Sequence, residues 1–171
     1  MFKKSGLPKD LSAELKRLRP EAGSVMAVGT GDGLTVVACR ECLALHRAAP
    51  TEDQDEWEFI GWHLITRGGW NKRDSELRWT LADESQDKVS LSDPGDIPDA
   101  FRNRVQASIV IEQVYDAPGG GHVVLAGRRR LGDDTTIVWQ VTTMGVARLS
   151  DPAVARFATD RAAELRADYD I

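Results

Sequence analysis

Cysteine and long apolar segments are both scarce in this chain. Only 2 of the 171 residues are cysteine, too few for the disulfide framework of a small secreted domain. No apolar run approaches the ~20 residues that a membrane-spanning helix needs. The opening residues, MFKKSG, include lysines but lead into no apolar stretch, so we expect no secretory signal. These absences predict a cytoplasmic protein without stable membrane insertion.

An excess of positive charge is also missing. The formal net charge is −5 and the isoelectric point is about 5.2. Nucleic-acid binding needs a basic surface that displaces counterions from phosphates, and a polybasic membrane anchor needs the same charge. We therefore predict no nucleic-acid partner.

Known catalytic motifs are absent as well. The sequence contains no G-x-S-x-G nucleophile turn, no H-E-x-x-H zinc motif and no Gly-Lys-Ser/Thr phosphate loop. The three histidines, His46, His63 and His122, are scattered rather than paired at a ligand spacing. We predict no catalytic residue, no cofactor and no metal site, which favours a non-enzymatic role without deciding it.

Cys39 and Cys42 form a C-x-x-C pair, which in other proteins holds zinc or performs thiol chemistry. Zinc requires two further ligands, and no second C-x-x-C exists. Redox pairs usually place the first cysteine at a helix N-terminus, whereas strand-like segments lie on both sides here. A tight turn between two strands is therefore the favoured interpretation, with metal binding and redox chemistry as alternatives.

Short strands dominate the first part of the chain. The segments "SVMAVGT" and "LTVVACR" flank an Asp-Gly turn that is typical of a hairpin, and "CLALHR" and "WEFIGWHLI" continue the series. They are preceded by a short helix that Pro20 ends and followed by a helix after Asp96. Together these segments predict an antiparallel β roll and a helix that follows it.

The last third of the chain predicts a three-stranded meander and a closing helix. Its strands are "SIVIEQVYD", "HVVLAGRRR" and "TTIVWQVTT", and Asp151-Pro152 begins the helix. We interpret Arg128, Arg129 and Arg130 as a solvated strand edge, since adjacent strand residues point to opposite faces.

The predicted fold class is α+β: an antiparallel β roll or partly open barrel, a following helix, a three-stranded meander and a C-terminal helix. The predicted organisation has an N-terminal arm with a short helix at 1–21, the roll with its helix at 22–107 and the meander with its helix at 108–171. We expect this last part to pack as one unit with the part before it.

The stretch at 61–81, "GWHLITRGGWNKRDSELRWTL", contains three tryptophans and poses the question of whether they face a ligand or the core. Side chains alternate along a strand, so Trp62, Leu64 and Trp70 share one face if the strand is continuous. Leu77, Trp79 and Leu81 share one face of the return strand. This alternation predicts a hairpin whose aromatic side chains face inward.

Several sequence segments, taken in their order along the chain, resemble segments of a family of uncharacterised actinobacterial cytoplasmic proteins. They are "SVMAVGTGDGLTVVACRECLAL", "EFIGWHLI…GGW", "VSLSDPGDIPDAFRNRVQASIVIEQV" and "VVLAGRRRLGDDTTIVWQV". The resemblance covers most of residues 22–168 and implies a shared fold, but it supplies no activity. The first half also resembles a bacterial pleckstrin-homology-like (PH-like) domain, which implies an anion site of Lys or Arg near the first hairpin. The turn at Thr30–Gly33 contains no cation, which argues against phosphoinositide binding there.

These observations favour a non-catalytic binding or assembly module, in which exposed strand edges pair with an unknown protein partner or a second copy of the chain. One alternative is a small-molecule-binding protein or enzyme whose pocket lies between the two halves, with His63, Arg67 or Arg78 converging there. A weaker alternative is an anionic membrane-surface binder that uses Lys72, Arg73 and the N-terminal lysines. These five named side chains are the candidate ligand-binding residues.

Overall fold

A computed structural model describes residues 6–132 and 136–169 of the chain. The predicted α+β class is confirmed: helices accompany three antiparallel sheets, and none of these sheets closes into a barrel among the described residues. The chain divides into two compact units. The first contains the described residues up to Ser108 together with 130–132, and the second contains Ile109–Arg129 and 136–169.

The three α-helices within the described residues have the positions that the sequence predicts. Helix α1 is Lys9–Leu18, α2 is Ile97–Ala107 and α3 is Pro152–Tyr169. Asp96 occupies the N-cap position of α2, and the Asp151 carboxylate accepts a hydrogen bond from the Ala153 N–H at 2.9 Å. None of the helices within the described residues is both long and apolar enough to cross a membrane.

The first sheet has four strands in sequence order. They are β1 Val25–Gly31, β2 Leu34–Cys39, β3 Cys42–Arg47 and β4 Trp57–Gly61. Each strand pairs antiparallel with the next, and short connections join β1 to β2 and β2 to β3. The Asp-Gly turn after β1 is confirmed, and Gly33 adopts the positive φ of 63° that such a turn requires.

The continuous strand predicted across Trp62 is wrong. A 3-10 turn at Trp62–Leu64 separates β4 from β5, so the alternation of faces restarts after it. Trp62 is fully buried, but Leu64 is 38% exposed and does not share its face. Trp70 is half-buried against the core, as an inward-facing side chain should be.

The second sheet is formed by β5 Ile65–Asn71, β6 Glu76–Leu81 and β7 Gln86–Ser90. The return strand follows the predicted alternation, since Leu77 is 0% and Trp79 2% exposed. The aromatic side chains of this hairpin therefore pack in or against the core, as the sequence predicts. Burial of each large apolar side chain contributes about 1.5–3 kcal/mol to folding.

The first sheet is buried on both faces, and this explains its nearly continuous apolar strands. One face of the sheet, with Val36 and Leu43, shares a core with the second sheet and with Phe101 of α2. The opposite face, with Val37 and Cys39, packs against Leu15 of α1. Every residue from Val36 to Cys39 is consequently fully buried.

The second unit contains the predicted meander as a sheet of its own. Its strands are β8 Ile109–Asp116, β9 His122–Arg129 and β10 Ile137–Met144, in the order β10-β9-β8. Helix α3 packs on this sheet through Val154, Ala158 and Leu165, which join Val123 and Leu125 in one core.

The prediction that Arg128 lies at a solvated edge is wrong. Strand β9 is the central strand of its sheet, and Arg128 is only 2% exposed. Its guanidinium donates a hydrogen bond to Gln140 Oε1 at 3.3 Å, and burial lowers the pKa of Arg128 to about 10. The side chain is therefore a buried cation within the second unit.

Candidate functional site

The predicted tight turn between two strands is confirmed at the cysteine pair. Cys39 ends β2 and Cys42 begins β3, so only Arg40 and Glu41 connect the strands. The Arg40 N–H donates to the carbonyl of Ser24, and the Glu41 N–H donates to that of Ala22, both at 2.9 Å. These bonds attach the turn to the segment that follows α1.

A cleft of about 530 Å³ opens beside this turn, within the first unit. We call it the cysteine-turn cleft. Its walls come from the segment after α1, the cysteine turn, the end of β4, the 3-10 turn and residues 130–132. Its lining residues are Arg19, Glu21, Ala22, Glu41, Cys42, Phe59, Gly61, His63, Leu64, Arg130, Leu131 and Gly132.

The two cysteines differ in their access to this cleft. Cys39 is fully buried in the core beneath α1, whereas Cys42 is half-buried and lines the cleft. The neighbouring Cys39 thiol, as a hydrogen-bond donor, lowers the pKa of Cys42, and burial opposes that shift. The positive charge of Arg19 adds to the lowering, whereas the negative charges of Glu21 and Glu41 oppose it. The same thiol contact, together with burial, raises the pKa of Cys39. Cys42 is therefore the thiol that ionises first.

Glu41 places a carboxylate in the wall of the cleft. Its side chain is 16% exposed, and its Oε1 lies 3.8 Å from Arg40 Nε. Its other oxygen, Oε2, is buried and accepts no hydrogen bond from any residue that the structure describes. Gly132 lies so close that a Cβ atom there would stand 2.6 Å from Oε2. The carboxylate thus retains an unused acceptor at a closely packed position.

Two guanidinium groups and a second carboxylate supply most of the remaining charge. The Arg19 guanidinium lies 4.8 Å from the centre of the Phe59 ring, within the range of a cation–π contact, and 3.4 Å from Glu21. A bond from its own backbone N–H lowers the pKa of Glu21, and Arg19 and Arg130 add to this effect. The cleft therefore combines cationic groups with an aromatic wall.

His63 is the one predicted ligand-binding residue that lines this cleft. Its half-buried ring packs against the backbone of Gly61, where a Cβ atom would stand 2.6 Å from the ring. Because no ordinary side chain fits in that space, glycine at position 61 permits the observed position of the imidazole.

Arg67 and Arg78 lie elsewhere, along a shallow depression on the second sheet. The predicted convergence of these arginines with His63 in one pocket is therefore not what the structure shows. Arg78 already contacts two carboxylates, Asp74 at 2.9 Å and Glu76 at 2.6 Å. These contacts raise the pKa of Arg78 and lower that of Glu76, so this cation is largely neutralised by its own hairpin. A ligand-binding role for either arginine stays a prediction.

Lys72 and Arg73 occupy the exposed turn between β5 and β6. The Arg73 N–H donates to the Asn71 side chain at 3.1 Å, as is common in turns that contain Asn. Of the N-terminal lysines, Lys3 and Lys4 lie outside the described residues, whereas Lys9 and Lys16 are exposed on α1. Binding of an anionic surface through these cations stays a prediction.

One group among the described residues could hold a metal ion. Glu14, His46 and Glu56 each offer a ligand atom, and these atoms lie within 4.8 Å of one another. His46 Nε2 is 3.2 Å from Glu56 Oε1, and the Trp57 indole donates to Glu14 at 3.0 Å. These hydrogen bonds explain why the three side chains lie close together, and they need no bound ion.

Sequence reasoning missed the Arg19–Glu41–Arg130 part of the site. Arg19 follows the first helix, Glu41 lies inside the cysteine turn and Arg130 follows β9. No spacing rule connects three positions so far apart. Glu41 alone carried a signal, because a charged residue inside a C-x-x-C turn shares the surroundings of the thiols.

Comparisons with known proteins found no relative of this chain. The chain matches no family model, no curated protein and no solved structure.

Proposed function

We propose that this protein is a non-catalytic binding module whose cysteine-turn cleft takes a small polar molecule. The observation that carries the proposal is the buried Glu41 Oε2, an unused acceptor among the described residues in the wall of the cleft. A buried acceptor without a partner costs about 1–3 kcal/mol. A ligand recovers this free energy when the segment at Gly132 that packs against the oxygen moves and the ligand donates a hydrogen bond to it.

The other lining groups define the class of ligand. Arg19 and Arg130 suit a carboxylate or another anionic group, whereas Glu41 suits an ammonium or amide donor. Phe59, Leu64 and Leu131 provide apolar surface. Small-molecule sites commonly combine an apolar lining with a few such polar groups in a volume of about 300–1,000 Å³. A small zwitterion of the amino-acid type meets all these requirements.

Thermal unfolding of the purified chain with three sets of compounds tests this proposal. The sets are amino acids, the corresponding carboxylic acids without the amine, and the corresponding amines without the carboxylate. We expect the zwitterions to raise the melting temperature most, because ligands that bind only the native state stabilise it. Equal effects of all three sets, or no effect of any, would contradict the proposal.

Matched variants localise the binding. Glu41→Gln removes the charge and half the acceptor capacity of the side chain, so we expect weaker binding of the zwitterion. Glu52→Gln makes the same chemical change on the exposed loop before β4 and should leave binding unchanged. Arg130→Met and Arg129→Met form a second pair, because only Arg130 lines the cleft.

A specific observation also favours the assembly role. Strand β8 is an edge of its sheet, and its Val110 and Val114 are 46% and 54% exposed. An edge strand offers unpaired backbone groups to a second chain, and apolar side chains add to its affinity.

Self-association through this edge should appear as a dimer in light scattering. It should be abolished by Val114→Lys but not by Val146→Lys, which changes a 72% exposed valine outside the strands. A monomer at all concentrations would oppose the assembly role.

We further propose that residues 22–107 of the first unit form a PH-like domain. The order of its elements supports this proposal. Four antiparallel strands come first, three antiparallel strands follow, and a helix that packs on both sheets comes last, as this resemblance implies. The cysteine-turn cleft lies away from the first hairpin, where that resemblance places an anion site. Under this proposal, the cysteine-turn cleft is a different site from the anion site that the resemblance implies.

A further inference from the structure

The cysteine turn brings its two thiols into a position to react with each other. In the β2–β3 register Ala38 faces Leu43, so Cys39 and Cys42 are the next opposed positions, at the end of the ladder. Both cysteines belong to the core cluster on the α1 side of the sheet, with Val37 and Ala44. Opposed residues in an antiparallel pair have Cβ atoms about 4.5–5.5 Å apart, close to the 3.5–4.5 Å of a disulfide.

The surroundings of the two sulfur atoms assign them different roles. Cys42 opens on the cleft and is the first to ionise, whereas Cys39 is buried behind it, where its thiol lowers the pKa of Cys42. An accessible thiolate with a buried partner thiol is the arrangement that thiol–disulfide exchange uses. Here the neighbouring thiol supplies the main part of the stabilisation that a helix N-terminus supplies in other C-x-x-C pairs.

We propose that Cys39 and Cys42 form a reversible intramolecular disulfide, with Cys42 as the attacking thiol and Cys39 as the resolving thiol. The oxidant is a low-molecular-weight disulfide of the glutathione class, which reaches Cys42 through the cysteine-turn cleft. This inference goes beyond ligand binding, since it needs only the two thiols and access to one of them.

The exchange balances as two displacements. The Cys42 thiolate attacks one sulfur of the small disulfide, the S–S bond breaks, and one small thiolate leaves and takes a proton from water. The Cys39 thiol then loses its proton and attacks the Cys42 sulfur of the mixed disulfide, which releases the second small thiol. Two electrons pass from the protein to the small disulfide, giving one protein disulfide and two small thiols.

Equilibration of the purified full chain with mixtures of reduced and oxidised glutathione tests the proposal. Each sample is quenched with acid, alkylated under denaturing conditions and digested with trypsin. Cleavage after Arg40 separates the cysteines into the peptides 18–40 and 41–47, since the Arg19–Pro20 bond resists trypsin. We expect the oxidised chain to lose both alkylation sites and to yield these two peptides linked, and the reduced chain to yield both alkylated.

A limiting amount of iodoacetamide on the native reduced chain distinguishes the two roles without any variant. We expect Cys42 to be labelled more than about tenfold faster than Cys39, because a fully buried thiol reacts only when the structure opens locally. In Cys39→Ser, glutathione should stay attached to Cys42 as a trapped mixed disulfide. In Cys42→Ser, no adduct should form while the chain is folded.

Two results would overturn the proposal. One is a native chain that forms no linked peptides at any glutathione ratio while the urea-unfolded chain forms them. The other is equal or preferential labelling of Cys39 in the native wild-type chain. Neither result bears on Glu41 and the zwitterion, so failure here leaves the proposed ligand binding to its own test.

Discussion

Replacement of Trp62 by phenylalanine tests how the core beside the cleft is held. Trp62 is fully buried, its indole donates a hydrogen bond to the carbonyl of Cys39 at 3.0 Å, and its ring meets Phe101 edge-on at 5.9 Å. Trp79 is buried in the same core at 2% exposure and provides the matched control. Both substitutions shorten a buried ring, but Trp62→Phe also deletes the bond to the cysteine turn.

The expected magnitude follows from these contacts. Loss of about 50 Å² of buried apolar ring costs about 1 kcal/mol in either variant. Loss of the indole hydrogen bond adds about 1 kcal/mol for Trp62→Phe. We therefore expect a decrease in the free energy of unfolding of about 2 kcal/mol for Trp62→Phe and about 1 kcal/mol for Trp79→Phe.

Urea denaturation followed by tryptophan emission measures this difference. Four of the five tryptophans lie in the first unit, so the emission chiefly reports its unfolding. The urea dependence of the free energy should stay the same in both variants, which shows that the change is one of stability. Equal losses for the two variants would refute the view that the bond from Trp62 to Cys39 contributes to stability.

Two further predictions concern the cleft and the second sheet. Gly61→Ala should displace the His63 ring, because the new Cβ atom would stand 2.6 Å from it, and the ring proton shifts of His63 should change in an NMR spectrum. Glu76→Gln should lower the melting temperature near neutral pH and have little effect in acid. A hydrogen bond from Arg78 lowers the pKa of Glu76 below its usual 4.5, so the ionised carboxylate stabilises the fold above that value. This contribution is lost as the pH falls through the lowered pKa.

Each of these predictions has a control within the first unit. Gly69→Ala places its Cβ atom in open space, so the His63 shifts should not change. If they do, the packing of His63 against Gly61 is not specific. Glu84→Gln changes an exposed carboxylate in the turn after β6 and should not alter how the melting temperature depends on pH. An equal effect of Glu84→Gln and Glu76→Gln would show that overall charge, not the contact with Arg78, is responsible.

Much of the fold could be predicted because its signals are local. The Asp32-Gly33 turn, the alternation of Leu77 and Trp79, and the Asp151-Pro152 helix start each occupy a few consecutive residues. Backbone preferences and the two-residue period of a strand act over that distance. These features agree with the structure for this reason.

The candidate site was less predictable because it is assembled from distant segments. Cys42 and His63 were recognised as residues of interest, but nothing local indicates that they line the same cleft as Arg130. Arg67 and Arg78 were grouped with His63 on chemical grounds, and the 3-10 turn at Trp62–Leu64 helps to separate them. That turn changes the direction of the chain, which an alternation rule does not take into account.

The sequence by itself determined the α+β class, the hairpin turns and the inward orientation of most aromatic side chains. Only the tertiary structure decided that Arg128 is buried on a central strand, that Leu64 turns outward, and that one cysteine lies in a core while the other faces a cleft. The physical reason is that burial is not a property of a residue and its neighbours in sequence. It depends on which strands flank a position and which helix covers it, and those contacts form between segments far apart along the chain.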